Sequence, residues 1–134
     1  MGKITNKRRL KVCTLFFVVL LPVFLGSCGG GSQSEQTWNV TGTTNVYHTT
    51  SGTPGEQGPD LFTFTQSGST LIGKTPQGQS ITGTVSDANI TFTWVGADSV
   101  AYTYTGTIQG GGIMSGTWTA TNGQSGTWRS TKSS

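Results

Sequence analysis

The sequence predicts an all-β domain, an antiparallel up-and-down meander of eight short strands curled into a small closed or half-closed barrel. Three observations predict it. From Trp38 onward the dominant period is two: Ile90, Phe92 and Trp94 alternate with Thr91 and Thr93, which sends rings to one face of a sheet and hydroxyls to the other. Turn-forming clusters interrupt this alternation at short intervals, so consecutive strands pair antiparallel; parallel pairing would need crossovers of about a dozen residues or more. Finally, the chain has 134 residues with 21 glycines and only 10% charged side chains, and no apolar stripe of helical period follows residue 28.

The elements begin with a leader. Lys3, Lys7, Arg8, Arg9 and Lys11 precede an apolar run at 12–25 that is interrupted by Pro22. A comfortable membrane span needs about 20 apolar residues, so the pattern reads as a secretory signal helix that is removed. Leu25-Gly26-Ser27-Cys28 then resembles the lipobox of bacterial lipoprotein precursors. The resemblance implies cleavage between Ser27 and Cys28, a diacylglycerol on the Cys28 sulfur, and acylation of the new amino terminus by a palmitate-like chain. Each buried CH₂ contributes ~0.8 kcal/mol, so two or three chains on one residue make a stable membrane anchor. Gly29 stands where an aspartate would favour the inner membrane in Gram-negative members of that family, and so implies the outer membrane. Residues 28–36 have the composition of a flexible Gly/Ser tether. The domain organisation expected is therefore a signal peptide at 1–27, a lipidated tether at 28–36 and a barrel at 37–134.

Within the barrel, strands are expected near 37–48, 60–66, 69–74, 79–86, 89–95, 100–109, 112–120 and 124–131. Eight suffice to close a small barrel. The last two carry a repeated Ser-Gly-Thr-Trp, at 115–118 and 125–128. A two-residue turn at Asn122-Gly123 would set an inward tryptophan opposite an outward threonine. A three-residue loop, Thr121-Asn122-Gly123 with Gly123 left-handed, repairs the parity and pairs Trp118 with Gly126 and Gly116 with Trp128. Each indole then lies over bare backbone on the neighbouring strand, which offsets the weakness of glycine there. Gly83 and Gly106 are candidates for the same device.

Composition also limits function. Five of the eight basic residues fall in the leader; beyond it three basic side chains face five acidic ones, so nucleic acid has no electrostatic footprint. The outward hydroxyls exclude a lipid-facing barrel. Cys13 lies in the leader and Cys28 at its end, which leaves the domain without a thiol site.

His48 is the single histidine and reads as a surface residue near a strand end. With Asp60 and one of many serines it is the only source of a catalytic triad, and no catalytic set is expected. The stretch 49–60 reads as the longest loop, and a metal site from His48, Glu56 and Asp60 matches no ligand spacing, so neither metal nor cofactor is expected. Trp94, Tyr104, Trp118 and Trp128 are the candidate ligand-facing or core rings, able to stack on a small ligand at a barrel mouth. Gly116-Thr117-Trp118 resembles the Gly-x-Trp element of lipocalins, though it falls in the penultimate strand and not the first; with avidins, lipocalins supply a likeness of shape alone. Rows of Thr-x-Thr follow from the strand preference of threonine. The expectation is a membrane-anchored, non-enzymatic envelope lipoprotein with a structural or binding role, whose partners are the membrane through its lipid and a small apolar ligand or an envelope protein. A lipocalin-like carrier is the alternative.

Overall fold

The computed structural model describes residues 38–133. The expectations for residues 1–37, including cleavage at Ser27 and lipidation of Cys28, lie outside the described residues. The strands are β1 (Gly42–Thr49), β2 (Glu56–Ser67), β3 (Thr70–Lys74), β4 (Ser80–Ser86), β5 (Asn89–Val95), β6 (Ala101–Ile108), β7 (Met114–Ala120) and β8 (Ser125–Lys132), with one 3₁₀ turn at Gly110–Gly112. Each pairs antiparallel with the next, and β8 pairs back onto β1 from Thr44↔Lys132 to His48↔Trp128. The barrel is thus closed.

Alternation sorts the side chains as the sequence predicts. Phe62, Phe64, Phe92, Tyr104, Trp118 and Trp128 are all buried, while Thr70, Thr84, Thr91, Thr105, Thr117 and Thr127 form one exposed row. That row runs unbroken from β3 to β8, each threonine directly opposite the next. The outer wall is therefore hydroxyl-bearing, unlike the apolar band of a membrane-spanning barrel.

The β7–β8 loop has the three residues that parity demands. The Ala120 N–H donates to Gln124 O at 2.8 Å, and Gly123 sits at φ +88°. Trp118 pairs with Gly126 and Gly116 with Trp128. The indoles do more than fill space. Trp118 reaches across Gly126 and donates from Nε1 to Thr49 O on β1 at 2.9 Å; Trp128 reaches the other way, across Gly116, to Thr105 O on β6 at 3.0 Å. A Cβ at Gly126 would overlap the Thr49 carbonyl, and one at Gly116 the Thr105 carbonyl. Each tryptophan therefore bonds a carbonyl two strands away and needs the intervening glycine to do so.

Two expectations are corrected. The loop expected at 49–60 is only Thr50–Gly55, because β2 begins at Glu56, four residues earlier than expected. Gly58 and Pro59 stay within the strand by forming a bulge opposite Tyr47, where the register shifts from Val46↔Asp60 to His48↔Gln57. A bulge tolerates proline's missing donor, and Gly58 takes φ +119°, so these two residues do not end the strand. At the start, residues 38–41 are not β1. They run across the adjacent end of the barrel, where Val40 enters the core and its N–H donates to Gln66 Oε1 at 3.0 Å.

Candidate ligand site at the barrel mouth

The two ends of the barrel are built differently. Toward the end crossed by residues 38–41, the interior is aliphatic: Val40, Leu71, Val85, Ile90, Ile108 and Met114 are all buried. Thr44 and Ser130 are its buried hydroxyl residues, and the Ser130 hydroxyl accepts a hydrogen bond from Met114 N–H at 2.8 Å. At the other end the inward positions of successive strands carry His48, Asp60, Trp94, Tyr102 and Trp118. Tyr104 and Phe62 lie beneath them, and Gln77 reaches over from the β3–β4 turn. These eight residues line a cavity of about 170 Å³.

Asp60 continues the alternation of Phe62 and Phe64 and pairs with Val46, so it faces the interior; the bulge at Gly58–Pro59 shifts the register beyond it, so that His48 pairs with Gln57 and Glu56 with Thr49. His48 follows Val46 at the inward spacing on β1. Its Nδ1 lies 3.5 Å from Asp60 Oδ2, close enough for an ion pair but outside hydrogen-bonding contact. The ring meets Trp118 edge-on, at 6.0 Å and 90°. The expectation of a surface histidine is thus corrected: only 21% of the His48 side chain is exposed.

Ring stacking fixes the opposite wall. Trp94 and Tyr102 are cross-strand partners, stacked at 4.4 Å and 12°. Tyr104 stacks on Phe92 at 4.8 Å and 9° and forms the floor with Phe62. Burial pushes the Tyr104 hydroxyl far above the usual phenol range, and the Asp60 charge adds to the shift, while the neighbouring Trp94 N–H offsets part of it. The hydroxyl therefore stays protonated and can both donate and accept. Among the described residues two buried polar atoms here lack a regular hydrogen bond: His48 Nδ1 stands 3.5 Å from Asp60 Oδ2, and Trp94 Nε1 is close enough to the Tyr104 oxygen to act on it without meeting regular hydrogen-bond geometry. Both residues line the same cavity.

Of the four rings expected to face a ligand or fill the core, Trp94, Tyr104 and Trp118 line this cavity. Trp128 does not. It lies mid-barrel against Phe92, at 5.5 Å and 79°, with its N–H committed to Thr105. Glu56 is separated from His48 and Asp60 by the barrel wall. It forms a bidentate pair with Arg129 on the outside, both contacts at 2.7 Å, and Arg129 in turn covers the Tyr47 ring at 4.2 Å. The Arg129 hydrogen bonds hold the Glu56 carboxyl below its ordinary value. Among the described residues no three His, Cys, Asp or Glu side chains gather as metal ligands.

Asp60, considered from the sequence only with His48 for a catalytic or metal set, and Tyr102, outside the four leading rings, both line the mouth, and a signal for each was present. Position 60 continues the 62, 64 alternation, and 102 precedes 104 by two. Gln77 had no such signal, being placed only by the turn that carries it. No protein-family model matches the chain, and neither a curated protein nor a solved structure matches it.

Proposed function

We propose that the mature chain is a lipid-anchored envelope lipoprotein whose barrel binds a small ligand in the mouth lined by His48, Asp60, Trp94, Tyr102, Tyr104 and Trp118, without catalysing a reaction. The observation that carries the binding reading is the convergence on one cavity of two buried polar atoms, His48 Nδ1 and Trp94 Nε1, that make no regular hydrogen bond among the described residues. Leaving such a group unsatisfied costs about 1–3 kcal/mol, which a ligand with matching groups recovers. A binding role is favoured over hydrolysis by the lining itself, since no Ser, Thr or Cys side chain stands there beside His48.

The anchoring reading rests on the basic and apolar leader and on Leu25-Gly26-Ser27-Cys28. It fits the barrel's polarity. Residues 38–41 enter the barrel at its aliphatic end, opposite the mouth. The closed aliphatic end also favours a small ligand over a long acyl chain.

Two measurements test these readings separately. Mass spectrometry of the mature amino terminus is expected to give an acylated Cys28; an unmodified Cys28, or cleavage elsewhere, would overturn the anchor. A fragment screen on the mature chain bearing Cys28→Ser, read by tryptophan emission, is expected to yield ligands whose effect disappears in Trp94→Phe. Emission that no fragment alters would remove the binding site.

A further inference from the structure

The chemistry of the mouth narrows the ligand. Asp60 carries the one carboxylate in the lining, and no Lys or Arg side chain accompanies it. Arg129 is engaged outside the wall with Glu56, and Lys74 donates to Ser80 Oγ at 3.0 Å on the exterior. Among the described residues His48 is therefore the only potential counter-ion within reach of Asp60. An anionic ligand would meet an unneutralised carboxylate in a half-desolvated site. A purely apolar one would desolvate Asp60 further and leave Trp94 Nε1 unsatisfied.

An organic cation fits better. Aromatic faces attract a positive charge through their negative quadrupole, and Trp is the best of them. Here Trp94, Tyr102, Tyr104 and Trp118 line, together with the partly exposed Asp60 carboxylate, a cavity of about 170 Å³. That is close to the engineered cavity of roughly 150 Å³ that holds benzene, and so to the bulk of a trimethylammonium group. Trp94 Nε1 can only donate, so it calls for an oxygen acceptor on the same ligand.

We infer that the mouth recognises a small organic ammonium group bearing a neighbouring hydroxyl or carbonyl oxygen, with Asp60 and the ring faces taking the charge and Trp94 Nε1 donating to the oxygen. This rests on the reading of the mouth as a ligand site.

The test is a nuclear magnetic resonance titration of the mature Cys28→Ser chain, following the Trp94 indole N–H, with three probes. They are choline, its uncharged carbon isostere 3,3-dimethylbutan-1-ol, and glucose. Choline is expected to shift the resonance and to bind at least about tenfold more tightly than the isostere. In Asp60→Asn, with a β circular-dichroism spectrum retained, that preference is expected to vanish. Equal binding of choline and the isostere, tighter binding of glucose, or unchanged choline affinity in Asp60→Asn would overturn the ammonium inference while leaving a site in place. Should only fragments outside these three move the resonance, the inference likewise falls and the site stands. Should no compound move it, both fall.

Discussion

The aliphatic end of the barrel and its mouth are made from the same strands, yet they treat polar groups in opposite ways. At the aliphatic end the buried Ser130 hydroxyl is satisfied by the Met114 N–H, and residues such as Leu71 and Met114 are fully enclosed. At the mouth, His48 Nδ1 and Trp94 Nε1 make no regular hydrogen bond among the described residues, and a carboxylate shares the lining with the rings. Folding alone does not call for this difference, because apolar side chains at positions 48, 60 and 94 would fill the mouth without desolvating anything. One end is closed and satisfied within the protein, and the other is the mouth proposed above to take a ligand. The tryptophan–glycine lattice of β7 and β8 joins them, with Trp128 bracing the middle of the barrel and Trp118 the wall beside the mouth.

The largest expected effect comes from breaking what both ends share. Gly116→Val would drive a side chain into the Thr105 carbonyl and against Gly106 Cα, and would displace the Trp128 indole that bonds across it. A loss of more than about 3 kcal/mol is expected, enough to abolish cooperative thermal unfolding followed by circular dichroism. Next comes Met114→Ala, which opens a cavity in the aliphatic end. It is expected to cost about 2–5 kcal/mol by denaturant titration while ligand binding at the mouth persists.

Trp94→Phe sharpens the contrast from the other side. It removes an unsatisfied donor, so stability is expected to change by less than about 1 kcal/mol in the same titration while binding is lost. Smallest of all is Glu56→Gln, on the outer wall. Because Arg129 lowers the folded-state pKa of Glu56, its contribution is present above the ordinary value of 4.5 and is lost as pH falls through the lowered one. Comparing wild type with Glu56→Gln by chemical denaturation across that range is expected to show a small difference at neutral pH that vanishes in acid.

Much of this architecture was legible in the sequence because parity is a strict constraint. Trp118 and Trp128 could be paired with glycines from the chain alone, since any other register would have turned rings outward. The hydrogen bonds made by the two indoles were not legible, because their acceptors, Thr49 and Thr105, lie two strands away. Glycine and proline misled at the start of β2. Gly58-Pro59 carries the composition of a loop, but a bulge absorbs both residues, and so Asp60 looked like a loop end when it is an inward-facing strand residue. The mouth was legible in part: Trp94, Tyr104 and Trp118 followed from alternation, whereas its polarity required knowing that His48 and Asp60 meet across β1 and β2.

The asymmetry between the two ends is tested most directly by hydrogen exchange of the indole N–H groups, measured by nuclear magnetic resonance without ligand. Trp128 and Trp118, bonded to carbonyls within the wall, are expected to exchange slowly, and Trp94, whose N–H makes no regular hydrogen bond among the described residues, at least about tenfold faster. A Trp94 indole as protected as that of Trp128 would mean that the mouth is internally satisfied, and would contradict the account.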